Sequence, residues 1–267
     1  MKVSVIIPTC NRVESLLKCL DCLHPDVQNQ FTNKYEVIVS DDSTTDELRE
    51  IVENLYPWVR WVQGPRRGPA ANRNNGVKYA VGEWIAFTDD DCLPCPGWLY
   101  QYAKHFDIAG IEVLEGKTIA DREKERYDEV APINLTGGNL WSCNFMVTKK
   151  LFWAIGGFDE NFPFPAMEDV DFHIRVKKKS NVEFIREAVV VHPWRRNKPF
   201  NTYKKSLNSY KYITSKYNQS NFNHKIKRIK ILISHLIKNG KTLKEFSFRG
   251  YKYYLEEVWL HVLLIFV

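Results

Sequence analysis

The chain has 267 residues, 44% hydrophobic and 26% charged, ordinary values for a folded soluble protein with room for one domain and an appendage. No run of about 18 apolar residues occurs, which excludes a membrane-spanning helix, and Pro8 ends the first apolar run too soon for a secretory leader. The net charge of +6 is uneven: residues 197–267 carry 14 Lys and Arg against three acids, whereas the first 196 residues carry 24 against 29. A mildly acidic body with so basic a tail attracts a polyanion, either an anionic membrane surface or nucleic acid.

In chain order, Val3–Ile7 is a β-branched apolar run, expected to be a strand buried on both faces. After the loop PTCNR, the residues Val13, Leu16, Leu17, Leu20 and Leu23 recur at helical spacing. Cys19 and Cys22 flank that apolar face, so their C-x-x-C spacing reads as packing rather than zinc. Tyr35–Ser40 is a second strand running into Asp41 and Asp42, Asp46–Tyr56 a helix, and Trp58–Val62 a third strand. GPRRGPAANRNNG is a loop opening a helix that ends near Tyr79, and Glu83–Thr88 is a fourth strand ending at Asp89, Asp90 and Asp91. This alternation predicts a parallel sheet with right-handed crossovers, whose ligands bind beyond the carboxyl ends of the strands. Asn11, Asp41, Asp42 and the acidic triplet all fall at such ends.

The second half is less regular. Ile111–Glu115 and Cys143–Val147 are expected strands, the latter antiparallel or at a sheet edge. A helix is expected from about Glu168 to Lys178, and Val182–Ile185 with Ala188–Val191 reads as a hairpin-like pair ending at His192. Cys92 and Cys95 enclose Leu93 and Pro94 with no His nearby, so reduced thiols in a cytosolic protein are the expectation. From Pro199 on the chain turns into Lys-, Tyr- and Asn-rich helices, which sets a boundary near Arg196.

Three adjacent carboxylates after an apolar strand repel one another. Oxygen donors so placed suit Mg2+ or Mn2+, whose remaining positions take water and substrate phosphates, and the cation removes the repulsion. The ordered set VSVIIPTCNR, VIVSDDSTTD, RGPAANRNNGVKYAVGEWIAFTDDDCLPCPGWL, GGFDENF and EDVDFHIRV resembles glycosyltransferase family 2, over about residues 2–196. The resemblance implies an α/β GT-A fold with a mainly parallel sheet flanked by helices: a Rossmann-like nucleotide half over 1–98 and an acceptor half over 99–196. The basic helical extension, 197–267, lies outside it. It further implies an inverting transfer of sugar from a nucleotide diphosphate donor, a UDP-sugar by preference, with Mn2+ or Mg2+, to a glycan or lipid-linked acceptor.

Carried over by position, Pro8, Thr9, Asn11 and Arg12 border the base and ribose, with Asp42 and its neighbour Asp41. Arg73 and Asn74 match the family's "RN" near the base or diphosphate. Asp89 and Asp91 are the D-x-D pair, with Asp89 and Asp90 on the donor side and Asp91 the direct metal ligand. His192 matches a further metal or phosphate contact. Asp169 matches the catalytic base, beside Glu168. Gly156 and Gly157 border donor and acceptor sugars. Arg67, with Arg66, reads either as a phosphate contact or as loop charge, and Trp194 as an acceptor clamp or plain surface. Glu168, Asp169 and Asp171 also suit a helix N-terminus, where the macrodipole favours acids.

In the tail, NHKIKRIKILISHLIKNGK is amphipathic, with Ile226, Ile229, Ile233, Leu236 and Ile237 on one stripe, and the chain ends in VWLHVLLIFV. These segments suit peripheral attachment to an anionic cytoplasmic leaflet, packing on a partner, or packing on the catalytic domain. Two rival readings remain: a catalytically inert sugar-nucleotide binder, and a nucleic-acid-binding module using the tail. No nucleic acid is the expectation, because the acidic rim repels a phosphate backbone and no recognised motif occurs. A dinucleotide oxidoreductase is excluded, since no G-x-G-x-x-G follows Val3–Ile7.

Overall fold

A computed structural model describes residues 2–31, 34–164, 166–197, 202–217 and 222–266. The expected change of character at Pro199 falls outside the described residues. The chain divides into two units. The first comprises the chain through Asp121, Pro132–Glu160 and Glu168–Pro193; the second comprises Arg122–Ala131, Asn161–Met167 and the chain from Trp194.

The first unit opens with β1 (Val3–Thr9), α1 (Val13–Cys22), β2 (Tyr35–Asp41), α2 (Glu47–Leu55), β3 (Val59–Gln63), α3 (Pro69–Tyr79) and β4 (Trp84–Phe87). β1 pairs in parallel with both β2 and β4, and β2 with β3, as the strand–helix alternation predicts. β5 (Leu93–Pro94), α4 (Trp98–Ala103) and β6 (Ile111–Ala120) follow. In the second unit, β7 (Glu129–Val130) pairs with β10 (Arg195–Arg196). Back in the first unit come β8 (Phe145–Thr148), α5 (Lys149–Ala154), α6 (Glu168–Lys177) and β9 (Asn181–His192). The eight strands of the large sheet run in the order β3-β2-β1-β4-β8-β6-β9-β5.

Alternation along β1 splits the core into two layers. Val3, Val5 and Ile7 face Leu16 and Leu20 of α1 and Leu48 and Val52 of α2. Ile6 joins Ile38, Phe87, Phe145, Phe152, Phe158 and Phe172 on the other side. β8 is antiparallel to both β4 and β6 and lies inside the sheet, not at its edge. The expected hairpin over Val182–Val191 is instead one strand, β9, parallel to β6. Its pairing runs from Gly116↔Ile185 directly to Lys117↔Val189, so Arg186, Glu187 and Ala188 form a bulge. That segment holds no Gly, Pro, Asn or Asp to turn the chain back.

The second unit ends in α7 (Thr202–Lys216), α8 (Phe222–Glu245) and α9 (Tyr251–Leu263). Its small core joins Tyr127, Leu243 and Tyr253, and Tyr127 Oη donates to Glu257 Oε2 at 2.6 Å. No helix among the described residues is long and apolar enough to cross a membrane.

Candidate active site

The loops after β1, β2, β3 and β4 carry the polar residues that the sequence singles out, and α3 ties them together. Pro69 opens this helix at a position where its missing N–H costs nothing. Its sequence, PAANRNNGVKY, has no apolar stripe, yet Asn72, Arg73 and Asn74 are buried. Each meets a partner. Asn72 Nδ2 donates to the carbonyls of Thr9 (3.1 Å) and Ser40 (2.9 Å), joining the ends of β1 and β2. Asn75 Nδ2 reaches Ser40 Oγ and the Gln63 carbonyl, both at 2.9 Å. Asn74 exchanges hydrogen bonds with the Phe158 backbone and donates to Glu160 Oε1.

At the end of β2, Asp41 accepts from the Ser43 N–H (2.8 Å) and from Trp61 Nε1 (3.1 Å). Asp42 accepts from the Arg66 N–H at 2.7 Å, and burial raises its pKa. Gly64 is buried against both: a Cβ there would overlap Asp42 Oδ1 and come within 2.7 Å of Asn72 Oδ1. Asn11 sits at positive φ (54°), its N–H bonded to Ser43 Oγ, so the loops after β1 and β2 are latched.

The acidic triplet is met by two guanidinium groups from distant parts of the chain. Arg12 Nη1 lies 2.9 Å from Asp90 Oδ1 and 3.1 Å from Asp91 Oδ2. Arg73 Nη2 lies 2.7 Å from Asp89 Oδ1. The repulsion among the three acids is thus relieved in part by arginines, before any cation is considered. Asp90 turns inward, with its other oxygen accepting from Thr9 Oγ1 at 2.8 Å. Burial, opposed by Arg12, pushes its pKa up to about 6.

Arg73 is buried over the Phe158 ring and reaches a second acid, Glu168 Oε1, at 3.3 Å. Glu168 and Asp169 form the first turn of α6, and Asp169 Oδ1 accepts the N–H of Val170. Desolvation, then the neighbouring Glu168 charge, push the Asp169 carboxyl up to about 7. That value suits a group that takes a proton near neutral pH.

His192 ends β9, with Nδ1 placed 2.8 Å from the Pro193 carbonyl. With Nδ1–H donating there, Nε2 carries the lone pair of the ring, 3.6 Å from Asp91 Oδ1. Asp91, Cys92 and His192 offer donor atoms all within 4.8 Å of one another; the carboxylate and the imidazole suit one divalent cation, whereas a thiol that stays protonated does not. The Cys92 thiol is absent from the expected ligands, which are Asp91 and His192 alone; the pairing of β5 with β9 brings it beside His192, a hundred residues away in sequence. Burial raises the thiol's pKa well above its usual value.

Gly156 and Gly157 both take positive φ (85° and 65°), and the Gly157 carbonyl accepts from Arg175 Nη1. Pro8 lies in β1, paired with Ser40. Arg67 is mostly exposed and pairs with Glu160 at 2.8 Å, linking its loop to the one after Gly157. Trp194 belongs to the second unit, where its indole N–H donates to the Arg122 carbonyl. Asn72, Asn75, Gly64 and Glu160 are the supporting residues that sequence reasoning missed. A buried helix with three Asn and no apolar face is the signal that marks the first two.

The sequence model of glycosyl transferase family 2 matches residues 4–156, more than half of the chain. The chain belongs to glycosyltransferase family 2. Among curated relatives, it is 39% identical over 95 residues to GalNAc(5)-diNAcBac-PP-undecaprenol beta-1,3-glucosyltransferase of Campylobacter jejuni, covering 34% of this chain and 29% of that protein. It is 28% identical over 172 residues to glycosyltransferase AglE of Haloferax volcanii, covering 61% and 56%. The matches therefore span about a third to just over half of these family members. Among solved structures, S. aureus TarS in complex with UDP-GlcNAc superposes with a TM-score of 0.59 at 22% identity, over 80% of this chain and 67% of that one. This likeness is one of fold, and with the mixed sheet it gives the family 2 chain a GT-A architecture.

Proposed function

We propose that the chain transfers a sugar from a nucleoside diphosphate donor, a UDP-sugar, to a hydroxyl of a glycan or lipid-linked acceptor in surface polysaccharide synthesis. The transfer inverts the anomeric carbon and uses Mn2+ or Mg2+. The observation that carries this reading is the buried Arg73, which holds Asp89 and Glu168 at once. It joins the D-x-D rim to the helix turn bearing Asp169, so donor-side and base-side carboxylates form one connected unit.

In this reading Pro8, Thr9, Asn11, Arg12, Asp41 and Asp42 border the base and ribose, and Arg67, Arg73, Asp89 and Asp90 shape the donor pocket. Asp91 and His192 would hold the cation, which neutralises charge on the diphosphate oxygens when bound. Asp169 takes the proton of the acceptor hydroxyl as its oxygen bonds to the anomeric carbon. The bond from that carbon to the diphosphate breaks in the same step, and the nucleoside diphosphate leaves with the electron pair. Gly156, Gly157 and Glu168 line the sugars.

The UDP preference draws support from the UDP-GlcNAc complex of TarS, and the cation from a Pyrobaculum calidifontis mannosyltransferase bound to GDP-Man and Mn2+. The undecaprenol-linked compound in the Campylobacter jejuni relative's name supports a lipid-linked acceptor. Such an acceptor would put the chain at the cytoplasmic face of a membrane, as a peripheral protein. Calorimetric titration with UDP, GDP and dTDP, each with Mn2+ and with chelator, tests the reading. Metal-dependent binding of UDP, lost in Asp91→Ala, is expected; binding indifferent to both metal and Asp91 refutes it.

A further inference from the structure

The helix α8 is amphipathic in the sense opposite to a helix packed on a core. Ile226, Ile229, Ile233, Leu236 and Ile237 fall within about a 100° arc of its surface, and all five are exposed, Ile237 by 57%. Of its described residues only His235 and Leu243 are buried. His235 lies across the helix from that arc, stacked on Tyr254 of α9 and bonded to Asn239. The same inversion occurs on α9, where Leu255 and Trp259 are more than half exposed while Glu256 is buried. Five branched aliphatics turned to solvent on one stripe are more than scattered surface apolarity, and such a patch calls for an occupant.

We infer that the apolar face of α8, with Leu255 and Trp259 of α9, docks on an anionic lipid surface, each helix lying in the plane of the interface. Charge chooses this occupant over others. The exposed Lys225, Lys230 and Lys241 border the α8 stripe, and the segment 197–267 carries 14 basic residues against three acids. A helix with an apolar arc edged by lysines sinks its aliphatics to the acyl boundary while the ammonium groups meet headgroup phosphates. The Lys stems contribute apolar contact on the way. An indole such as that of Trp259 favours the same depth. Neither helix is long and apolar enough to span, which agrees with a surface position. The inference does not depend on the transferase reading: nucleotide binding tests the first unit's residues, and lipid binding tests α8 and α9.

The experiment is co-sedimentation of the full chain with phosphatidylglycerol vesicles and with phosphatidylcholine vesicles, at low and high salt. Binding to the anionic vesicles alone, weakened by salt, is expected. Ile233→Asp with Ile237→Asp should lower the partition constant by roughly tenfold or more, since two branched aliphatics no longer leave water. Lys225→Glu with Lys230→Glu should do so while removing the salt dependence, and because it alters only exposed charges it guards against misfolding in the first variant. Helical circular dichroism should be unchanged in both. Equal binding to the two lipids, untouched by either variant, overturns the inference. So does a dimer in analytical ultracentrifugation that the isoleucine variant dissolves, which would make a second copy the occupant. Binding to an RNA homopolymer with none to vesicles overturns it as well.

Discussion

Asp169→Asn separates catalysis from helix capping in a single experiment. The substitution keeps the shape and the oxygen that accepts the Val170 N–H, and removes only the ability to ionise. Folding raises this carboxyl from 3.8 to about 7, first by desolvation and then by Glu168. An acid whose pKa is raised in the native state holds its proton more tightly there than in the unfolded chain. Its contribution to stability is therefore fully present below the unfolded value and is lost as pH rises toward 7. The shift of about three units corresponds to at most about 4 kcal/mol lost at neutral pH, less where solvent reaches the partly exposed carboxyl. Asn carries no such loss, so urea melts of Asp169→Asn against wild type should coincide near pH 4 and favour the variant progressively up to pH 7 and above. The same variant should lose about 10²–10⁴-fold in sugar transfer, the usual contribution of a general base. In wild type, kcat/KM should rise with pH through a limb near 7. A variant that is less stable at pH 8 and still transfers sugar would refute the reasoning, because that is the signature of an acid serving only the macrodipole at the start of α6.

Arg73→Ala leaves Asp89 and Glu168 without their shared buried guanidinium, and should cost about 3–5 kcal/mol in a thermal or urea melt. Arg73→Lys should recover only part of this, since one ammonium cannot reach two acids in a fork. Gly64→Ala drives a Cβ into Asp42 and Asn72 and should cost about 1–3 kcal/mol, with UDP affinity in calorimetry falling alongside. Arg12→Ala frees Asp90 and Asp91 of their guanidinium. It should weaken nucleotide binding most in chelator, where no cation replaces the lost charge.

How much of this was legible follows from range. The strands β1, β2 and β4 were readable because β-branched runs with no turn residues have one outcome in a doubly covered parallel sheet, and their polar ends then gather at one rim. β9 misled because Arg186 and Glu187 interrupt an apolar run as a turn would, and only the register with β6 reveals a bulge. Arg12 meets Asp90 across 78 residues and Arg73 meets Glu168 across 95, and no local spacing encodes such pairs. The α8 stripe was visible as a stripe; which side of the helix faces water was not, because periodicity is blind to what packs where.

The charge arrangement bears on why a cation would still be needed. Five carboxylates, Asp89, Asp90, Asp91, Glu168 and Asp169, share the rim with two guanidiniums, which pair with the first four. Protonation of Asp90 and Asp169 near neutral pH lightens the excess without removing it. A diphosphate entering this rim brings further negative charge, and both arginines are already committed to protein acids. In the proposed reading, Asp91 and His192 would hold the divalent ion that turns this repulsion into attraction. Nucleotide affinity without metal should accordingly improve as pH falls from 8 to 6 and Asp90 and Asp169 take up protons. With Mn2+ that gain should shrink, because the cation then offsets the excess charge that protonation would otherwise relieve. Calorimetry across that pH range, with and without Mn2+, on wild type and His192→Ala decides the matter: parallel profiles, or a Mn2+ effect that His192→Ala leaves intact, would mean that the cation does not sit at Asp91 and His192.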